Sequence, residues 1–253
     1  MGFKEATPVQ EFAIPLIMAG RDMIACAQTG TGKTAAFLIP ILHKIMSNPA
    51  KEGIRALIIV PTRELAIQID NELQGFSYFT NCTSLAVYGG GDGSDFDREK
   101  KALKDGADFI IATPGRMKSH LSMGYAALAN LECLILDEAD RMLDMGFSDD
   151  IAQIISHLPD KRQNLLFSAT MPPKIRDLAK ELLVDPAEIS IAISKPAEGV
   201  MQIVYLCYDK MKEEIIAHLL KGRDLKSVIV FASRKSTVSQ LARKLKKQGL
   251  NAA

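Results

Sequence analysis

Asp22-Met23-Ile24-Ala25-Cys26, Ala27-Gln28-Thr29-Gly30-Thr31-Gly32-Lys33-Thr34 and Ala35-Ala36-Phe37-Leu38-Ile39 follow one another without a break, and this stretch decides the fold. A short apolar run, a loop of small residues and an apolar helix start come in that order, which reads as strand, loop and helix. Glycines let backbone N–H groups converge on an anion without a Cβ clash, and the helix N-terminus adds the positive end of its dipole. Lys33 supplies a mobile cation and Thr34 a hydroxyl suited to Mg²⁺. Residues 27–34 are therefore expected to grip the phosphates of a nucleoside triphosphate. The generic pattern G-x-x-x-x-G-K-[ST] is kept except at its first position, which holds Ala27.

Outward from that loop, short apolar runs recur between helical stretches: Met23–Cys26, Ala56–Val60, Leu85–Tyr88, Phe109–Ala112, Cys133–Leu136, Leu165–Phe167 and Ile189–Ile193. Runs apolar on both faces, such as Leu57-Ile58-Ile59-Val60, suit parallel strands covered by helices on two sides. The expected fold class is α/β, an open parallel sheet. Polar or glycine-rich punctuation follows each of the inner runs: Pro61-Thr62-Arg63, Gly89-Gly90-Gly91, Thr113-Pro114-Gly115-Arg116, Asp137-Glu138 and Ser168-Ala169-Thr170. Ligands of such sheets gather where strands end, so one rim is expected to hold the chemistry. Before the first strand, Thr7-Pro8 reads as a helix N-cap with proline at the first helical position, and Gly20 suits that helix's end.

Bulk properties narrow the function classes. The 253 residues are 47% hydrophobic and 24% charged, as in soluble globular chains. A net charge of +1 gives no global pull toward polyanions, so any polyanion must be held by locally placed groups. Cys26, Cys82, Cys133 and Cys207 are widely spaced and read as free, buried thiols, while His43, His120, His157 and His218 form no zinc-ligand pattern. No apolar run approaches the roughly 18 residues of a membrane span, no basic-then-apolar leader pattern is seen, and Ala6 breaks the myristoylation pattern. The expected location is the cytoplasm.

Two adjacent carboxylates just past a buried run, Asp137 and Glu138, suit a metal-and-base pair: Asp137 helping to hold Mg²⁺ and Glu138 orienting and deprotonating water. In that setting Lys33, Asp137 and Glu138 are the candidate catalytic residues, with Thr34 and Asp137 as candidate metal contacts.

With this pair the chain resembles a known family. Asp137-Glu138-Ala139-Asp140 spells the signature of the DEAD-box ATP-dependent RNA helicases. Gly2-Phe3 with Thr7-Pro8 and Gln10 is similar to that family's adenine-reading motif, and Ala27–Thr34 to its phosphate loop, alanine included. Pro61-Thr62-Arg63-Glu64-Leu65-Ala66, Gly89-Gly90 and Thr113-Pro114-Gly115-Arg116 resemble its RNA-contacting elements, and Ser168-Ala169-Thr170 its coupling motif. The resemblance spans residues 2 to 170 and extends to bacterial members with short N-termini. It implies a RecA-like P-loop domain over residues 1–194, ATP and Mg²⁺ as ligands, and RNA as partner. Phe3, Thr7, Pro8 and Gln10 would face the nucleotide, and a glutamine amide can both donate to and accept from adenine. Pro61, Thr62, Arg63, Gly89, Gly90, Thr113, Pro114, Gly115 and Arg116 would track the RNA backbone without reading sequence. Asp140, Ser168 and Thr170 would couple hydrolysis to strand separation.

Lys195-Pro196-Ala197-Glu198-Gly199 reads as a linker, after which the β-α-β-α pattern is expected to resume through Ile203–Tyr208, Lys212–Leu220, Val228–Phe231 and Ser236–Lys247. Residues 200–253 are too few for a second domain of typical size. Ser227–Lys235 resembles the first motif of the family's second RecA-like domain, so 200–253 reads as its incomplete start. The family's later motifs carry arginines that reach the γ-phosphate, and such an arginine is worth about 10³–10⁵ in rate, so this chain alone is expected to turn ATP over poorly. Arg243-Lys244-Leu245-Lys246-Lys247 reads as an exposed helix face rather than an RNA contact. Two other readings stay open at this point: a DNA-directed helicase-like ATPase, and a nucleotide- or RNA-binding module without turnover.

Overall fold

The structure, a computed structural model, describes residues 5–49, 52–90, 93–191, 201, 203–222 and 225–252. Gly2-Phe3 and the linker 195–199 lie outside the described residues. The chain divides into two compact units, Met1–Ser194 and Lys195–Ala253.

In the first unit seven short strands form one sheet: β1 (Met23–Cys26), β2 (Ala56–Ile59), β3 (Ser84–Val87), β4 (Phe109–Ala112), β5 (Cys133–Leu136), β6 (Gln163–Ser168) and β7 (Ala187–Ser190). Their order across the sheet is β3-β4-β2-β5-β6-β1-β7 and every pair is parallel. Among the described residues of this unit α1 (Pro8–Met18) precedes the sheet and seven helices connect its strands: α2 (Lys33–Ser47), α3 (Arg63–Phe76), α4 (Gly93–Asp105), α5 (Pro114–Leu121), α6 (Ala139–Asp144), α7 (Ser148–Ser156) and α8 (Pro173–Leu182). Because strand side chains alternate, each strand feeds two cores. Leu57, Ile59, Ile110, Leu134 and Leu136 pack with Met117, Met142, Ile151, Ile154 and Ile175 on one face. Ala56, Ile58, Ile111, Ile135 and Phe167 pack with Ile17, Phe37, Leu38, Ile41, Ile69 and Leu73 on the other. A parallel sheet buried on both faces explains why these strands read as continuous apolar runs.

The expected start of α1 is observed, with Pro8 at its first position and Gly20 at φ +76° just beyond its end. The last strand starts two residues earlier than expected, at Ala187 rather than Ile189, because pairing with β1 sets its register: Met23 lies opposite Ala187 and the Asp22 carbonyl accepts the Ala187 amide at 2.9 Å, while Ala192 and Ile193 of the expected Ile189–Ile193 lie outside the described residues. Among the described residues no helix is long and apolar enough to cross a membrane.

The second unit differs from the sequence expectation. Its described residues contain α9 (Lys212–Leu220) and α10 (Lys235–Lys247), but Ile203–Tyr208 and Val228–Phe231 form no strands. Parallel strands need covered neighbours, and here, among the described residues, Leu206 is left 97% and Phe231 91% exposed. Ala217, Leu241 and Leu245 form the small core between the helices, and Lys244 pairs with Glu213 at 3.0 Å. The cysteines are all free, yet only Cys133 is buried; Cys26, Cys82 and Cys207 are half-buried, which corrects the expectation of four buried thiols.

Candidate functional site

The parallel sheet brings the polar segments after β1 to β6 to one rim, and strand order divides that rim in two. The segments after β5, β6 and β1 carry the acids, Ser168-Ala169-Thr170 and the phosphate loop. Those after β3, β4 and β2 carry Gly89-Gly90, Thr113–Arg116 and Pro61-Thr62-Arg63.

On the first half, Gly30 and Gly32 take φ of +82° and +89°, a region that favours glycine. Gly32 is the N-cap of α2 and offers no side-chain cap, so the first-turn amides face a cavity of about 700 Å³. That cavity is lined by Gln10, Thr29, Lys33, Thr34, Asp137 and Glu138, among others. A Cβ on Gly32 would come within 2.6 Å of Gln10 Nε2. Gln28, Thr29 and Gly30 are exposed, Ala27 is buried, and Thr31 Oγ1 donates to the Gln28 carbonyl at 2.8 Å, which shapes the loop. Gln10 is buried: its Oε1 accepts the Thr7 amide at 3.0 Å and its Nε2 donates to the Gly32 carbonyl at 3.2 Å. One lone pair and one N–H of that amide are left over. Pro8 only starts α1, whereas Thr7 Oγ1 is buried and has no partner among the described residues.

Lys33 is buried and its Nζ donates to the Ala27 carbonyl at 2.7 Å. Asp137 is 3% exposed, and burial pushes its carboxyl up to about 6, against the pull of the Lys33 ammonium and the Glu138 amide. Glu138 adopts φ +51°, ψ +47° at the start of α6, a left-handed conformation that costs a non-glycine residue about 1–2 kcal/mol. Its amide donates to Asp137 Oδ1 at 2.9 Å and its carboxylate meets Arg141 at 3.4 Å, so both acids are held in place. Asp140 Oδ2 accepts from the Thr170 amide (2.9 Å) and hydroxyl (2.7 Å), while Ser168 Oγ donates to the Thr170 carbonyl at 2.7 Å. Burial pushes the Asp140 carboxyl up, but these donors outweigh it and hold it below the usual range. The loops after β5 and β6 are thereby tied together.

These residues fit a magnesium-bound polyphosphate. Uncapped amides and an ammonium suit the phosphates, and a buried carboxylate short of positive charge, beside a hydroxyl, suits a hard cation that keeps most of its waters. The raised Asp137 carboxyl has a consequence for stability. The folded protein holds its proton more tightly than the unfolded chain, so stability falls as pH rises from about 4 through about 6. Asp137→Asn is expected to stabilise the nucleotide-free protein by about 3 kcal/mol at pH 7 and by almost nothing at pH 4. Urea unfolding at the two pH values measures it, and an equal effect at both would refute it.

On the second half, α3 and α5 point their N-termini at the rim. Thr62 caps α3, accepting the Leu65 amide at 3.3 Å, with Pro61 buried behind it. Thr113 precedes Pro114 and Gly115 in the first turn of α5, and its amide donates to the Val87 carbonyl at 3.0 Å. Arg63 lies over the Tyr88 ring at 4.7 Å, and Gly90, at φ +93°, lies beside the Arg63 guanidinium. Arg116 donates to Glu99 Oε2 at 2.6 Å and lies over Phe96 at 4.6 Å. The described candidate nucleotide, metal, RNA-contacting and coupling residues thus lie on this rim or, for α1, against it. Glu99, His120, Phe96 and Tyr88 were missed. Only Tyr88, an aromatic directly before two glycines, carried a signal.

Residues 7–178 match the family model described as DEAD/DEAH box helicase. The chain is 44% identical over 250 residues to the ATP-dependent RNA helicase CshA of Listeria monocytogenes, covering 98% of this chain and 47% of that protein. It is 42% identical over 250 residues to the DEAD-box ATP-dependent RNA helicase CshA of Geobacillus kaustophilus, covering 98% and 52% respectively. Against the protein of the same name from Bacillus subtilis the figures are 41% over 250 residues, 98% and 50%. The chain spans about half the length of the curated relatives it matches. With the phosphate loop, the paired acids and the glycine–arginine rim on one sheet edge, and the family match covering all three, this chain belongs to the DEAD/DEAH box helicases.

Proposed function

We propose that this chain is the ATP-binding part of a cytoplasmic ATP-dependent RNA helicase that opens short duplexes locally. The reading rests on the division of the rim: nucleotide-type groups end β1, β5 and β6, and phosphate-tracking groups end β2, β3 and β4, next to one another on a single rigid sheet.

In this reading the leftover lone pair and N–H of Gln10 meet adenine, which presents both a donor and an acceptor along one edge. The amides of the loop and the Lys33 ammonium hold the phosphates, and Thr34 with Asp137 holds Mg²⁺, which supplies charge neutralisation when bound. Glu138 takes a proton from the attacking water. Asp140 transmits the state of the acid loop to Ala169-Thr170. Thr62, Arg63, Gly90, Thr113 and Arg116 bind the backbone of one RNA strand, with two helix N-termini adding amide donors. Residues 200–253, after the linker 195–199, are the start of a second RecA-like domain. Its remainder would supply the arginines that complete the γ-phosphate site and the strands that cover Leu206 and Phe231.

The test is ATPase stimulation in the full-length protein by RNA and DNA oligonucleotides of equal length. Stimulation by RNA, weakening with salt by about 0.7 decade per decade for each phosphate neutralised, is the expected result. Stimulation by DNA alone would overturn the proposal. The 253-residue chain by itself is expected to bind nucleotide with turnover at background.

A further inference from the structure

Behind the polynucleotide half of the rim lies a buried polar cluster that joins Arg116 of the Thr113–Arg116 motif to Glu99, His120 and Tyr125, residues that no motif singles out. Glu99, on α4, is 4% exposed and binds three groups with one carboxylate. Oε1 accepts the Tyr88 amide at 3.1 Å; Oε2 accepts Arg116 Nε at 2.6 Å and meets His120 Nε2 at 2.9 Å. His120 is fully buried, and its Nδ1 contacts the Tyr125 hydroxyl. Both ring nitrogens of His120 are therefore engaged, Nε2 with the Glu99 carboxylate and Nδ1 with the Tyr125 hydroxyl, while Arg116 pairs with the same carboxylate. Phe96, one turn before Glu99, stacks on His120 at 4.5 Å while Arg116 lies over its ring.

Burying an ion pair is a poor way to stabilise a fold, because an apolar set of the same volume often does as well or better. What this pair does that an apolar set would not is fix orientation. The Tyr88 amide is the root of the Gly89-Gly90 loop, and Arg116 stands in the first turn of α5. Glu99 ties the two together. Arg116 Nη2, meanwhile, is buried with no partner among the described residues, a donor not consumed by the cluster.

We propose that Glu99 is a positioning residue for polynucleotide binding: its carboxylate fixes the Gly89-Gly90 loop and the Arg116 guanidinium as one unit for phosphate contact. The inference rests on the RNA reading above. Glu99 touches no ligand and acts through Arg116 and the Tyr88 amide.

The test measures single-stranded RNA affinity of the full-length protein against salt for Glu99→Met, Arg116→Ala and the double variant, with nucleotide affinity as the control on folding. Methionine keeps length and volume, and Glu99→Ala is run in parallel in case it packs poorly. Arg116→Ala is expected to weaken RNA binding about 10-fold and lower the salt slope by about 0.7, one phosphate contact. Glu99→Met is expected to do the same, and the double variant to be no weaker than either single, because both remove one contact. Glu99→Gln, whose carbonyl oxygen still accepts from Arg116 while its NH2 faces the Tyr88 amide donor, is expected to recover only part of the affinity. Nucleotide affinity stays unchanged throughout. Wild-type affinity and slope in both Glu99→Met and Glu99→Ala, or losses that add in full to that of Arg116→Ala, overturn the inference. Wild-type binding by Arg116→Ala would instead overturn the assignment of Arg116 as an RNA contact.

Discussion

Lys33→Ala is expected to all but abolish nucleotide binding. The buried ammonium is the cation on the phosphate half of the rim, and it faces an Asp137 carboxylate that it partly compensates. Charge-assisted hydrogen bonds contribute about 1.5–3 kcal/mol each, so losing two to a triphosphate lowers affinity about 10²–10⁴-fold. A second effect works in the same direction. Without the ammonium, Asp137 holds its proton still more tightly, so a carboxylate that would hold Mg²⁺ spends more of its time neutral. Titration calorimetry with a non-hydrolysable ATP analogue and Mg²⁺ reads both effects at once. Affinity within a few-fold of the wild type would mean that the phosphates lie elsewhere.

Glu138→Gln is expected to separate binding from turnover. The substitution keeps side-chain shape and leaves the backbone, with its amide on Asp137, as it stands. It removes the carboxylate that can accept a proton from water. General-base catalysis is worth about 10²–10⁴-fold, so RNA-stimulated turnover in the full-length protein falls by that factor while nucleotide affinity holds. Steady-state kinetics and the same calorimetry check the two halves. Equal losses in both would assign Glu138 to binding alone. The left-handed backbone at this residue points to a constraint on where the carboxylate is aimed, since a glycine there would relieve the strain but bring no base.

The layout of the first unit was legible because its strands are buried on both faces. Runs such as Ile58-Ile59-Val60, stopped by Pro61, and Leu134-Ile135-Leu136, stopped by Asp137-Glu138, read as covered strands, and their ends located the rim. Lys33, Asp137 and Glu138 were legible for a different reason, since their chemistry requires fixed neighbours in sequence. Local pattern failed in two places. Val228-Ile229-Val230-Phe231 has the composition of a strand, but a strand is a pairing, and no partner lies within the described residues of that unit. Glu99 failed for the opposite reason: on a strongly charged helix it looks like one more solvated carboxylate. Only the folding of α4 against α5 turns it inward, and no residue near it in sequence announces His120, which lies 21 positions away.

Sheet order also dictates a timetable. β1 leaves the ribosome well before its neighbours, β6 and β7: Met23 waits for Leu165 on one side and Ala187 on the other. Contacts so distant along the chain form late. The half of the sheet with β2, β3, β4 and β5 can zip together first, while the segment that will become the phosphate loop trails with nothing to anchor it. A nascent chain stalled anywhere before residue 168 should therefore expose that apolar first strand to chaperones and be unable to use a nucleotide as a folding aid.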